Sequence, residues 1–269
     1  MKSGLKNISF TFLTLSFVIT INSQLSSQVK FELNTQRELT ISGISLILTC
    51  ASFTLDKSDS IVISDLEKLN KNTIPKLDRI STYHYSESLS KVSDALLITS
   101  LIIPVNLILM SKSKKELINF SVMYIETFAL NYGLTSFTKS ISKRYRPYVY
   151  NPDVPLEKKI SADANKSFFS GHTSTSFAMG TFFSQMFSDL AINKSARLYV
   201  WVVTLSLATS VGILRIFSGY HYPSDVIIGA LVGSSVGLFI TEIHKAKNVE
   251  SLYKLLPDLR INFTIPLSK

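Results

Sequence analysis

Six apolar stretches recur along the chain, at residues 39–55, 95–111, 117–138, 173–188, 198–214 and 226–241, and Glu126 is the one charged residue inside any of them. Each is at or near the roughly 17 to 25 residues that a helix needs to cross a bilayer. Only segments that bond their own backbone are tolerated at that depth. The pattern therefore predicts an all-α fold, an integral membrane helical bundle with about five to six membrane-embedded helices. The stretch at 39–55 is the weakest, because Thr40, Ser42, Gly43, Ser45, Thr49, Cys50 and Ser52 interrupt it, and it is expected to dip into the bilayer without crossing fully. Ahead of it, Met1, Lys2 and Lys6 precede a charge-free run at 7–29, with Ser23 and Ser26 near its end. That arrangement reads as a secretory signal, with an uncleaved first membrane helix as the alternative. The expected organisation is a signal peptide over 1–28, a membrane-associated segment and soluble loop over 29–92, one bundle over 93–243 and a polar tail over 244–269.

Composition agrees with the pattern. The chain is 46% hydrophobic and 17% charged, against about a quarter charged in soluble domains. Ten glycines, eight prolines and the single Cys50 exclude collagen, low-complexity and disulfide-framework classes. A net charge of +9 would suit nucleic acid or an anionic membrane surface. Its distribution decides for the membrane, and no nucleic acid partner is expected. Lys112, Lys114 and Lys115, then Lys194 and Arg197, then Lys245 and Lys247 follow the second, fourth and last stretches, all on one side. The positive-inside rule makes that side cytoplasmic and puts the links at 139–171 and 216–225 outside. A cleaved signal starts the mature chain outside, so the two signals agree only if 39–55 fails to cross. The link at 139–171 is itself basic, against the rule unless its charges have another task.

That task is visible in the residues. The first outside link carries Lys139, Arg146 and Pro147, spaced K-x6-R-P, and ends in Ser170, Gly171 and His172; the second carries Arg215, His221 and Asp225, spaced R-x5-H-x3-D. Phosphoryl transfer needs the charge on the equatorial oxygens neutralised while a nucleophile attacks in line. Lys139, Arg146 and Arg215 supply three cations, two of them forks suited to bidentate phosphate contact. Ser170 and Gly171 precede a predicted helix whose first amides and positive end would face the same anion, although Ser170 alone would read as an N-cap. Pro223 suits the first turn of the last helix. From that turn Asp225 can hold one ring nitrogen of His221 and leave the other free to attack. His172 is then the candidate acid for the departing oxygen. Asp94 and Glu126 are expected to face the bundle interior or its aqueous end, in helix-to-helix hydrogen bonds rather than on substrate. Zinc at this site is disfavoured, since His172 and His221 lack further Cys or His partners at ligand spacing.

These three motifs resemble the signature of the type 2 phosphatidic acid phosphatase (lipid phosphate phosphatase) family, K-x6-R-P, P-S-G-H and S-R-x5-H-x3-D, in that order. Phe169 replaces the proline of the second motif and Leu214 the serine of the third. The resemblance spans 139–225 directly and, with the hydrophobic pattern, 93–243. It implies a membrane-embedded phosphatase that needs no cofactor or metal. A phosphohistidine would form at His221, oriented by Asp225, with leaving-group protonation by His172 and phosphate held by Lys139, Arg146, Ser170, Gly171 and Arg215. The implied substrate is a lipid phosphate or diphosphate such as undecaprenyl diphosphate, phosphatidylglycerol phosphate, phosphatidic acid or lipid A, reached from the outer leaflet; in a double-membrane bacterium that face of the inner membrane is periplasmic. The superfamily also contains vanadate-dependent haloperoxidases, an alternative that the many spans and short chain disfavour. A non-catalytic protein binding anionic lipid heads is the other alternative.

Overall fold

The computed structural model describes residues 31–56, 61 and 63–246. The expected signal peptide at 1–28 and most of the polar tail lie outside them. Six long helices carry the described chain: α1 (Thr35–Leu55), α2 (Glu87–Ile102, resumed after Pro104 as Val105–Leu109), α3 (Lys114–Ser142), α4 (Gly171–Leu190), α5 (Lys194–Phe217) and α6 (Pro223–Ile243). Four of them, α1, α2 with its continuation, α5 and α6, are long and apolar enough to cross a membrane. Leu46, Ile47, Phe53, Ile98, Ile102, Val202 and Leu231 stand exposed on these four. An apolar surface of that extent belongs against lipid, and the chain is an integral membrane protein.

The weakest stretch forms a long helix of its own. α1 runs for 21 residues, started by the Asn34 side chain, which accepts from the amides of Gln36 and Arg37 at 3.0 and 3.2 Å. It lies along α3 for the length of the bundle. Asn119 donates to the Phe31 carbonyl at 2.6 Å near one end, and Ser140 donates to the Ser52 carbonyl at 3.0 Å near the other. Three of the hydroxyls that weaken its apolar signal are satisfied inside the helix: Thr40, Ser45 and Thr49 donate to the carbonyls four residues earlier, each at 2.8 Å. Polar side chains bonded this way tolerate the bilayer interior. At the start of α1 Phe31 lies beside Lys245, bridged through the Glu32 amide and the His244 carbonyl at 2.9 Å. The stretch at 39–55 is thus part of one continuous helix long and apolar enough to cross.

α4 sits at the centre, packed upon by α2, α3, α5 and α6. Met123, Phe182, Phe183, Met186, Phe187 and Ile240 fill the core on the side away from the links at 139–171 and 216–225. Its closest neighbour is α6, which presents Gly229, Gly233 and Gly237 to it. A Cβ on Gly233 would stand 2.1 Å from the Ser174 carbonyl oxygen, and one on Gly237 2.5 Å from that of Ala178. Small residues every fourth position let the two backbones touch. Gly233→Val is expected to force them apart, at about 3 kcal/mol or more; thermal melting in detergent measures it, and an unchanged melting point would contradict the seam.

One end of the bundle is roofed by the segments at 61–86 and 143–170. Short helices at Ile63–Glu67, Lys76–Arg79 and Leu156–Lys159 interrupt them. Ile61, Tyr148, Val149, Val154 and Ala164 hold the roof together. The opposite end carries Arg37, Lys112, Lys114, Lys115, Lys194, Arg197 and Lys245.

Candidate active site

Under the roof, four helix ends meet: the last turns of α3 and α5 and the first turns of α4 and α6. They bring Lys139, Arg215, Ser170 with Gly171 and His172, and Asp225 to one place, and the intervening loops add Arg146 and His221.

His221 is 1% exposed. Its Nε2 stands 3.1 Å from Arg146 Nη1. A guanidinium only donates, so Nε2 accepts and the ring proton sits on Nδ1. Nδ1 faces Asp225 Oδ2 at 3.5 Å, about half an ångström beyond a normal hydrogen bond. Burial, and then the positive charge of Arg146, Lys139 and Arg215, hold the His221 imidazole well below its usual pKa and keep it neutral.

Asp225 is wholly buried and over-determined. Oδ1 accepts from Arg144 Nη1 at 2.5 Å, and Oδ2 accepts from Ser167 Oγ at 2.5 Å and from the Tyr222 amide at 3.0 Å. The last contact is half of the capping box that starts α6, so one carboxylate both begins the helix and faces the histidine. Arg144 lies over the Tyr222 ring at 4.1 Å and extends its other nitrogen to buried Asp78 at 2.7 Å. Asp78 in turn accepts from the Ser224 amide and hydroxyl at 2.9 and 2.7 Å. A chain of alternating charge thus runs from the roof to the histidine.

The cations line the opposing wall. Arg146 is tied by Asp163, through its side chain at 2.7 Å and its carbonyl at 2.9 Å, and by the Tyr220 carbonyl at 3.1 Å. Arg215 donates to Ser90 Oγ at 2.9 Å and to Asp94. Both guanidiniums lie against the Tyr220 ring, at 5.4 and 5.3 Å. Lys139 Nζ lies 3.8 Å from where a Gly171 Cβ would be. Asp94 accepts from His172 Nε2 at 2.9 Å as well as from Arg215. Its carboxylate joins α2, α4 and α5 in the helix-to-helix manner expected, but does so at the candidate acid. Ser170 spends its hydroxyl on the Thr173 amide and hydroxyl and its own N–H on the Asp225 carbonyl at 3.0 Å. The amides of Gly171 and His172, in the first turn of α4, have no intrahelical acceptor.

All eight residues singled out from the sequence therefore converge. Arg144, Ser167, Asp78 and Asp163 were not singled out; no motif marks them, and a buried Asp–Arg–Asp chain is visible only once the roof is folded over the helix ends. Glu126 is far from this site, at the other end of the bundle.

Comparison with known proteins adds to this geometry. Residues 120–248, which contain every one of those eight positions, match the family described as the PAP2 superfamily. The chain is 38% identical over 101 residues to the bacitracin transport permease protein BcrC of Bacillus licheniformis, covering 38% of this chain and 44% of that one. It is 42% identical over 82 residues to lipid phosphate phosphatase 1 of Arabidopsis thaliana, covering 29% and 25%. Against the lipid A 4'-phosphatase of Porphyromonas gingivalis it is 28% identical over 112 residues, covering 41% and 44%. The chain spans less than half the length of each of these relatives.

Proposed function

We propose that the chain, whose residues 120–248 match the PAP2 superfamily, is a membrane-embedded phosphatase of that superfamily acting on a lipid phosphate or diphosphate. The observation that carries the reading is a neutral His221 whose proton faces buried Asp225 and whose unprotonated nitrogen accepts from Arg146 on the wall of three cations. In the proposed reaction the phosphoryl oxygens lie among Lys139, Arg146, Arg215 and the first amides of α4. His221 Nε2 forms a bond to phosphorus as the P–O bond to the lipid breaks, and Asp225 stabilises the positive ring. His172 protonates the departing oxygen and then takes a proton from the water that cleaves the phosphohistidine, releasing inorganic phosphate. Asp94 and Asp225 act as positioning residues, each holding a histidine. No step calls for a metal.

The amphiphilic substrate follows from the setting: a charged cup at a bundle end whose flanks face lipid suits a headgroup that arrives laterally. Two relatives carry names that refer to lipid phosphatases, which supports the same class. The test is phosphate release in detergent micelles from undecaprenyl diphosphate, phosphatidylglycerol phosphate, phosphatidic acid and lipid A, with chelator present. Release from at least one is expected; binding without release from any would leave an anionic-lipid-binding protein, and peroxide-dependent halogenation by the vanadate-loaded protein would move it to the other branch of the superfamily.

His172→Ala is expected to slow a lipid with a poor alkoxide leaving group by about 10²–10⁴-fold and an activated aryl phosphate far less. Equal losses on both would remove the acid role. The pH profile has a defined sign. His221 must be neutral to attack and its pKa lies below 6.5, so its acid limb in kcat/KM should fall below pH 6.5; a limb at or above that value would contradict the assignment.

We also propose that the site end faces outward, periplasmic in a double-membrane bacterium, because the opposite end collects the basic links. With α1 crossing, residue 31 then lies on the cytoplasmic side. Impermeant thiol labelling in a Cys50→Ser background should modify Lys68→Cys and Glu157→Cys from outside but not Lys114→Cys, and the reverse pattern would invert the topology.

A further inference from the structure

At the end of the bundle away from the phosphate site, three helices bring together side chains that the proposed hydrolysis does not use. Glu38 lies in the first turn of α1, Glu126 lies on α3, and His244 caps α6. His244 Nε2 stands 3.3 Å from Glu38 Oε2 and 3.2 Å from Glu126 Oε2. Glu126 is 3% exposed and His244 0%.

The hydrogen bonding of this trio is incomplete. His244 Nδ1 lies 2.7 Å from the Ile240 carbonyl; a carbonyl only accepts, so that nitrogen carries a proton. Nε2 is thereby aimed between two carboxylate oxygens. Neither oxygen of Glu126 accepts a hydrogen bond, and His244 Nε2 takes part in none. A buried carboxylate without a donor is costly, and a neutral imidazole lone pair facing two anionic oxygens adds repulsion. A cation at the centre would relieve both.

We propose that Glu38, Glu126 and His244 form a binding site for a divalent transition cation, with Zn²⁺ the best fit. Tetrahedral zinc with ligands at about 2.0–2.1 Å has ligand-to-ligand edges of about 3.3 Å, and the two separations above match that edge. The imidazole donor disfavours Ca²⁺ and Mg²⁺. The surroundings are those of a ligand shell held from outside: the Nδ1 proton is engaged by a backbone carbonyl, and Glu38 is steadied by Arg37 at 2.8 and 3.2 Å and by the Asn34 amide at 2.7 Å. Arg37 already offsets one of the two carboxylates, so a divalent ion leaves the site carrying a single positive charge. Glu38 is partly accessible, which gives an ion an entry from the membrane surface. Bound there, it would clasp the start of α1 and the end of α6 to α3, stabilising the bundle without touching the phosphoryl chemistry.

The test uses the full-length, tag-free protein in detergent, stripped with chelator and titrated with Zn²⁺ alone. One equivalent is expected to bind and to raise the melting temperature progressively with its concentration. Glu126→Gln and His244→Gln should each weaken it by at least about 100-fold, whereas His221→Ala should retain it. Co²⁺ in the wild-type protein should give visible bands of a tetrahedral ion, with one imidazole and carboxylate oxygens by X-ray absorption; this reports on the site even if a variant does not fold. Failure of the folded wild type to bind zinc, binding that survives both ligand substitutions, loss of binding in His221→Ala, or a different ligand set would overturn the proposal in favour of an imidazolium–carboxylate trio.

Discussion

His221→Ala is expected to reduce phosphate release on the order of 10⁴-fold or more while changing the affinity for a lipid phosphate by less than about tenfold. The asymmetry follows from what the side chain is proposed to do. It supplies the attacking nitrogen, an interaction made only as phosphorus is transferred, whereas Lys139, Arg146 and Arg215 bear the ground-state charge of the phosphate and remain in place. Alanine at this position also frees Arg146 Nη1 from its contact at 3.1 Å, so the cation is not left opposed by a new charge. The two readouts are single-turnover phosphate release and equilibrium binding of the lipid. Rapid quenching of the wild type on labelled substrate should also trap a phosphoenzyme that is labile in acid and stable in base, the behaviour of a phosphorus–nitrogen bond, and His221→Ala should trap none. Turnover that persists in the variant, or a phosphoenzyme that survives it, would assign the nucleophile elsewhere.

Arg144→Ala carries the second large effect, and it acts from behind the site. The guanidinium stands between two buried carboxylates, Asp225 at 2.5 Å and Asp78 at 2.7 Å. Removing it leaves two like charges facing one gap, one of them the partner of His221. Breaking such a pair costs about 3 kcal/mol, and the melting point should fall accordingly. Activity should fall by about 10²-fold with the loss concentrated in kcat, because Asp225 is displaced while the phosphate-binding cations are not. Arg144→Lys should recover part of the stability and little of the rate, since one ammonium cannot span both carboxylates. Adding Asp78→Asn to Arg144→Ala removes one of the unpaired charges and should recover stability, a coupling that a double-mutant cycle isolates. A variant that loses substrate affinity with kcat unchanged would show Arg144 to be a binding group, not a positioning one.

Much of this molecule could be read along the chain, for reasons local to it. Long apolar runs without charge report the membrane whatever surrounds them, because the penalty for a charge in hydrocarbon does not depend on the fold. His221, Pro223 and Asp225 stand within a few residues of one another at a helix start, and the capping geometry there places the carboxylate behind the ring. Lys139, Arg146 and Arg215 were recognisable because their types and spacings follow phosphate chemistry. Two readings went only part of the way. Ser170 was identified both as a phosphate ligand and as a cap, and its hydroxyl and amide are occupied by Thr173 and Asp225. Asp94 was expected in an interhelical hydrogen bond, and its partners are His172 and Arg215.

Tertiary structure decided what depends on partners distant in sequence. The hydroxyl-rich stretch at 39–55 runs the length of the bundle as α1 because its side chains bond back to their own helix and it fits against α3 at Gly133, neither of which hydropathy registers. Arg144 and Asp78, 66 residues apart, become one electrostatic unit only when the roof closes over the helix ends. Glu38, Glu126 and His244 likewise meet only when α1, α3 and α6 are packed. Residue type and local spacing determine which chemistry the chain can offer and how deep each segment sits; the burial that shifts a pKa, strands a carboxylate or joins three helices at one point is a property of the packed bundle.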